Sequence, residues 1–180
     1  SYWEYIVYDQ LNRPVLTQDA NIRPANKWNF IKYDSKGRVV MTGLYTDAVN
    51  TTRSSLQNIL DLKNYDGSDK YFEVRQGSTA HGYGNLAFPI SNIQVNTVNY
   101  YDDHDFNFDG TQDYPYTPQS LPNEGNPVST SFGRSTGSKI LIDDGTEILS
   151  ELTGLAPEDI AFTATTGEGL TDFGKGLGIQ

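Results

Sequence analysis

The densest run of side chains able to do chemistry in this 180-residue chain is Asp105-Phe106-Asn107-Phe108-Asp109-Gly110-Thr111-Gln112-Asp113. Calcium loops need oxygens at alternate positions and a glycine in sixth place for the bend. Asp105, Asn107, Asp109 and Asp113 supply side-chain oxygens in that order, Thr111 supplies the backbone carbonyl, and Gly110 stands at the bend. The twelfth place, where an EF-hand sets a bidentate glutamate, is Tyr116. That departure argues against an EF-hand and leaves a weaker loop of the extracellular kind, with an acidic surface turn as the alternative. The sequence requires no cofactor, and calcium is the one these residues admit.

Other constellations carry less. His81, in the loop Ser78-Thr79-Ala80-His81-Gly82, has a hydroxyl nearby, and His104 sits among acids. Nucleophilic catalysis needs a nucleophile held beside its base, and sequence proximity does not supply that geometry. Gly169 to Gly176 falls one residue short of a phosphate loop, because Gly176 replaces the hydroxyl that would hold magnesium. Trp3, Tyr5, Trp28, Phe30 and Tyr45 offer ring faces for a sugar-stacking platform, but recurrence at matching positions favours aromatic ladders between neighbouring strands. The expectation is a protein that is not an enzyme.

The elements that must position these residues announce themselves as a repeat. Trp3 to Thr17 (WEYIVYDQLNRPVLT) and Trp28 to Thr42 (WNFIKYDSKGRVVMT) share one pattern, with Tyr8-Asp9 and Tyr33-Asp34 25 residues apart. Alternation, a Tyr-Asp pair, two variable residues, Asn or Gly, Arg and then aliphatics describe two strands joined by a tight turn. Asp34 can cap the turn backbone, with Gly37 in the left-handed conformation and Asn12 in the equivalent place. Arg13 and Arg38 leave the turn on the return strand, where a guanidinium can reach an acceptor or a ring face on the next hairpin. The expected interface set is Tyr8, Asp9, Arg13, Tyr33, Asp34, Arg38 and a third pair, Tyr101-Asp102, where DDHDFNFDG follows Tyr101 and no Gly-Arg closes the turn. That third copy reads either as a decorated hairpin or as a strand ending in an insertion.

These residues resemble the YD repeats of Rhs-type proteins, and the phrases YDQLNRPVLTQD, KYDSKGRVVMTG and VNYYDD are most similar to long YD-repeat proteins secreted by Gram-negative bacteria. The resemblance covers about residues 2–140. It implies a spiralling β-sheet, secretion to the extracellular space or cell surface, and encapsulation of a toxin carried elsewhere in a parent chain. Neighbouring repeats of that parent, secretion machinery or cell-surface glycans are the partners it implies.

The fold expected is therefore mainly β, with antiparallel hairpins in one continuous curved sheet, one short helix near 52–63 and long loops. Residues 2–142 form the repeat segment, and 143–180 a divergent Gly-rich segment. Leu56, Ile59, Leu60 and Lys63 have helical spacing, with Thr51 or Thr52 as cap. Tyr71 to Arg75 and Ile93 to Tyr101 alternate as strands, 111–137 reads as an irregular Pro/Gly-rich loop, Lys139 to Ile142 as a short strand, and Thr146 to Leu152 as a helical turn or two. A segment of such a sheet would expose pairing edges at its ends. A net charge of −10 disfavours a general grip on nucleic acid or anionic lipid. No apolar run is long enough for a membrane helix, and the first residues lack a signal-peptide layout, so the chain reads as an excerpt. Cysteine is absent, which removes disulfides and thiolate sites together.

Overall fold

Alternation of apolar and polar residues over short runs, broken by turn residues, builds one antiparallel sheet in which strands neighbour each other in chain order. The computed structural model describes residues 3–65, 67–113, 120–122, 131–141, 147–151 and 162–164. The strands are β1 (Tyr5–Tyr8), β2 (Pro14–Gln18), β3 (Lys27–Tyr33), β4 (Val39–Thr46), β5 (Ile93–Asp102), β6 (Ser131–Leu141), β7 (Glu147–Glu151) and β8 (Phe162–Ala164). One helix, α1 (Arg53–Asp61), interrupts the meander between β4 and β5.

Register fixes which face is buried. Val7 opposes Leu16, Leu16 opposes Phe30, Trp28 opposes Tyr45, and Met41 opposes Val98, so these side chains share one face. Leu56 and Leu60 of α1, with Tyr83 and Phe106 from the loops, close over that face to make the core. Thr17, Asn29, Thr42 and Leu44 line the other face, which is exposed or half-buried.

Helix α1 starts as a capping box: Ser55 N–H donates to Thr52 Oγ1, and Thr52 N–H donates to Ser55 Oγ. Its position corrects the expectation of two open sheet edges. The Gln57 side chain accepts the Tyr8 N–H at 3.0 Å and donates to the Tyr8 carbonyl at 2.9 Å, as a neighbouring strand would. Arg53 donates to the Ile6 carbonyl. Gln10 in return donates to the carbonyls of Leu60, Asp61 and Lys63 at the end of the helix. The outer edge of β1 is thus occupied from within the chain.

Three further elements differ from expectation. Tyr71 to Arg75 forms no strand: an isolated bridge from Arg75 to Tyr83 stands at its end, and another joins the preceding Lys70 to Ala87. The alternation there is inverted: Glu73 is buried and Val74 exposed, because the Glu73 carboxylate has partners inside. Ser131 to Leu141 is an eleven-residue strand, longer than the short strand expected and beginning inside the expected loop. Glu147–Glu151 pairs with β6 as β7 where helical turns were expected, since alternation over so short a run does not separate the two periods.

Replacing Gln57 with alanine is expected to speed amide exchange at Tyr8 and to lower stability by about 1–2 kcal/mol. Leu56→Ala, which opens the core instead, should cost about 2–5 kcal/mol. Unchanged exchange at Tyr8 in the Gln57 variant would remove the edge-covering role.

Candidate functional site

The site grows from the turn. In the first hairpin the Asp9 carboxylate accepts the backbone N–H groups of Leu11 and Arg13 through one oxygen, and Arg13 Nε through the other at 2.8 Å. The second hairpin repeats this atom for atom: Asp34 accepts the N–H groups of Lys36 and Arg38, and Arg38 Nε at 2.6 Å. Asn12 (φ +57°) and Gly37 (φ +79°) supply the left-handed residue that the turn needs. Both aspartates are buried, so leaving these N–H groups unpaired would be costly.

Held by its own aspartate, each guanidinium lies over the tyrosine ring of the next hairpin. Arg13 stands 4.4 Å from the centre of the Tyr33 ring and Arg38 stands 4.3 Å from that of Tyr101. The tyrosine answers: Tyr33 Oη donates to the Pro14 carbonyl at 2.7 Å, and Tyr101 Oη to the Val39 carbonyl at 3.0 Å. Pro14 and Val39 are the residues following Arg13 and Arg38. Burial pushes both phenols above their ordinary pKa, so they stay protonated as donors. Arg13 also donates to the Tyr71 carbonyl, tying the excursion after α1 to the relay.

The third copy is a decorated hairpin. Tyr8 pairs with Pro14 and Tyr33 with Val39, one residue past the arginine in each case, and Tyr101 pairs with Ser135, one residue past Arg134. Gly133 has φ +80° like Gly37, and its N–H donates to Asp102. Gly133-Arg134 is therefore the closing half of the third repeat, separated from Tyr101-Asp102 by residues 103–132. Besides the Gly133 N–H, Asp102 accepts Arg38 through both oxygens at 3.0 and 2.8 Å, and Lys36 at 2.8 Å. These bonds, the Arg38 pair first, hold the Asp102 carboxyl far below the usual carboxylate range. Arg134 is exposed, and no further Tyr-Asp pair follows it in the sequence.

Of the interface set, the structure brings together Arg13 with Asp9 and Tyr33, and Arg38 with Asp34, Tyr101 and Asp102. Tyr8 instead meets α1 through its backbone. Sequence reading missed Arg134, which a search for a delayed Gly-Arg would have found. It also passed over Tyr65-Asp66, a Tyr-Asp pair without a downstream Gly-Arg, whose Tyr65 stacks on Tyr71 with centroids 3.8 Å apart.

The other candidates are placed differently from one another. Asp105 accepts the N–H groups of Asp109 and Gly110, Asn107 accepts that of Asp109, Asp109 accepts Thr111 and Asp113 accepts Phe106. Among the described residues no three acids or imidazoles converge on one point. Tyr116 and Gly169 to Gly176 lie outside the described residues. His81 Nδ1 accepts the Tyr83 N–H, and the nearby Ser78 hydroxyl accepts Gln76. The five aromatics do not form one platform: Trp28, Phe30 and Tyr45 are buried, whereas Trp3 is 74% exposed.

No family model, curated protein or solved structure matches the chain.

Asp102→Asn is expected to lower stability by about 2–3 kcal/mol at neutral pH, because a charged acceptor is lost. A depressed folded-state pKa gives stability that is present above the ordinary carboxylate pKa and lost as pH falls below it. The gap in melting temperature between wild type and variant should therefore close on acidification from neutral pH to below the carboxylate range. A gap that persists in acid would show that the Asp102 charge is not its source.

Proposed function

We propose that this chain is a non-catalytic structural segment of a large secreted, Rhs-like YD-repeat protein, in which stacked hairpins form a wall that encloses cargo or projects from the cell surface. The observation that carries this reading is the relay itself: the same atoms of Arg, Tyr and the following carbonyl recur at successive hairpins. An isolated hairpin is marginal in water, and a contact that recurs at each step makes each hairpin's stability depend on its neighbour. The resident location is the extracellular space or surface of a Gram-negative bacterium, and the partners are neighbouring repeats. The burial of Trp28, Phe30 and Tyr45 weighs against the rival, a carbohydrate-binding or adhesive module that uses calcium, because those faces serve the core.

Limited proteolysis tests the reading. The wild-type chain should yield one resistant fragment spanning β1 to β6, and Arg13→Ala with Arg38→Ala should convert it to progressive digestion. Calcium or a chelator should leave the pattern and the melting temperature unchanged, and a glycan array should stay at background. Glycan binding that a chelator abolishes would replace the wall with the adhesive module.

A further inference from the structure

Beneath β3 lies a group of side chains that the arginine relay does not use. Lys32 is the last residue but one of β3, and its side chain and that of Glu73 are both 0% exposed. The Lys32 amine donates to Glu73 Oε1 at 2.9 Å and also contacts Asn85 Oδ1. Glu73 is held in place by the N–H groups of Leu86 and Ala87, the two residues after Asn85. Asn85 is oriented in turn, since its Nδ2 donates to the Ile90 carbonyl at 2.7 Å. Buried Ala87 and the Phe30 ring, 5.9 Å from the amine, complete an environment poor in water. Burial lowers the Lys32 pKa, opposed by the Glu73 charge.

A buried amine and a buried carboxylate held against a carboxamide at the protein surface are the reactants and the proton shuttle of an amide exchange. We propose that Lys32 and Asn85 join in an intramolecular isopeptide bond, with Glu73 as the proton-transfer group. Glu73 takes a proton from the Lys32 ammonium, and the neutral amine attacks Asn85 Cγ. Glu73 passes the proton to Nδ2, the Cγ–Nδ2 bond breaks, and an Nζ–Cγ amide remains. The nitrogen leaves as ammonium, carrying both protons the amine gave up, and Glu73 ends as the carboxylate it began as. No oxidant or co-reactant is needed. Asn85 is itself exposed, which gives the ammonium a route to solvent.

The bond would link residues 53 apart in sequence, stapling the excursion after α1 to β3. In a chain without cysteine it supplies the covalent constraint that a disulfide supplies elsewhere. The inference is independent of whether the sheet belongs to a shell, and its readout does not depend on that reading.

Intact mass spectrometry of the purified chain tests it. The wild type is expected to fall short of its sequence mass by one ammonia, and a digest should contain a branched peptide joining Lys32 to Asn85. Glu73→Gln and the surface variants Asn85→Ala and Asn85→Ser should each return to full mass, with circular dichroism confirming that the Asn85 variants are folded. A wild-type chain at full sequence mass overturns the proposal. So does an ammonia loss carried by unbranched peptides, which marks a succinimide, or one that persists in Asn85→Ala.

Discussion

A guanidinium can be held over a ring only if something fixes its position, and in each intact hairpin that is the carboxylate of the first turn residue. One oxygen of Asp9 or Asp34 organises the turn backbone while the other holds Nε of the arginine four residues on. The guanidinium is then held over the next tyrosine and its remaining N–H groups reach beyond. Lysine could not serve here, since a point charge on a flexible stem has no plane to fix. Strand order, register and the closeness of successive hairpins all follow from that constraint, because the tyrosine must end its strand where the preceding arginine begins its own.

Much of this was legible in the residues. Asp, then Asn or Gly, then Arg at fixed spacing specifies a turn with a left-handed residue, and the turn aims the arginine. Helix α1 was legible from Leu56, Leu60 and its threonine cap. Other features were hidden for physical reasons. Gly133-Arg134 closes its repeat only after residues 103–132, so no local window contains both halves. The inverted burial of Tyr71 to Arg75 depends on Glu73 finding Lys32 and two backbone N–H groups across the fold, which alternation cannot report. Trp3 and Trp28 occupy matching places in the pattern, yet only the second has strands on both sides.

The interruption of the third repeat shows what the wall tolerates. An insertion enters between the tyrosine-aspartate pair and the closing glycine, at the tip of the hairpin, where the register shifts at Tyr101 and Asp102 while Thr97 to Tyr100 keep an unbroken pairing with Gly137 to Ile140. Asp102 keeps one N–H of its own hairpin, that of Gly133, and takes both forks of Arg38. The chain thereby exchanges contacts within a hairpin for contacts between hairpins, and Phe106 from the insertion packs on Tyr100 at 4.7 Å to extend the core.

The most direct test of the relay is a pair of double-mutant cycles, Arg13→Ala with Tyr33→Ala and Arg38→Ala with Tyr101→Ala, read by chemical denaturation. The account predicts a favourable coupling of about 1–2 kcal/mol in both cycles, because the same contact is built twice. Additive losses in both cycles, with no coupling between arginine and ring, would contradict it.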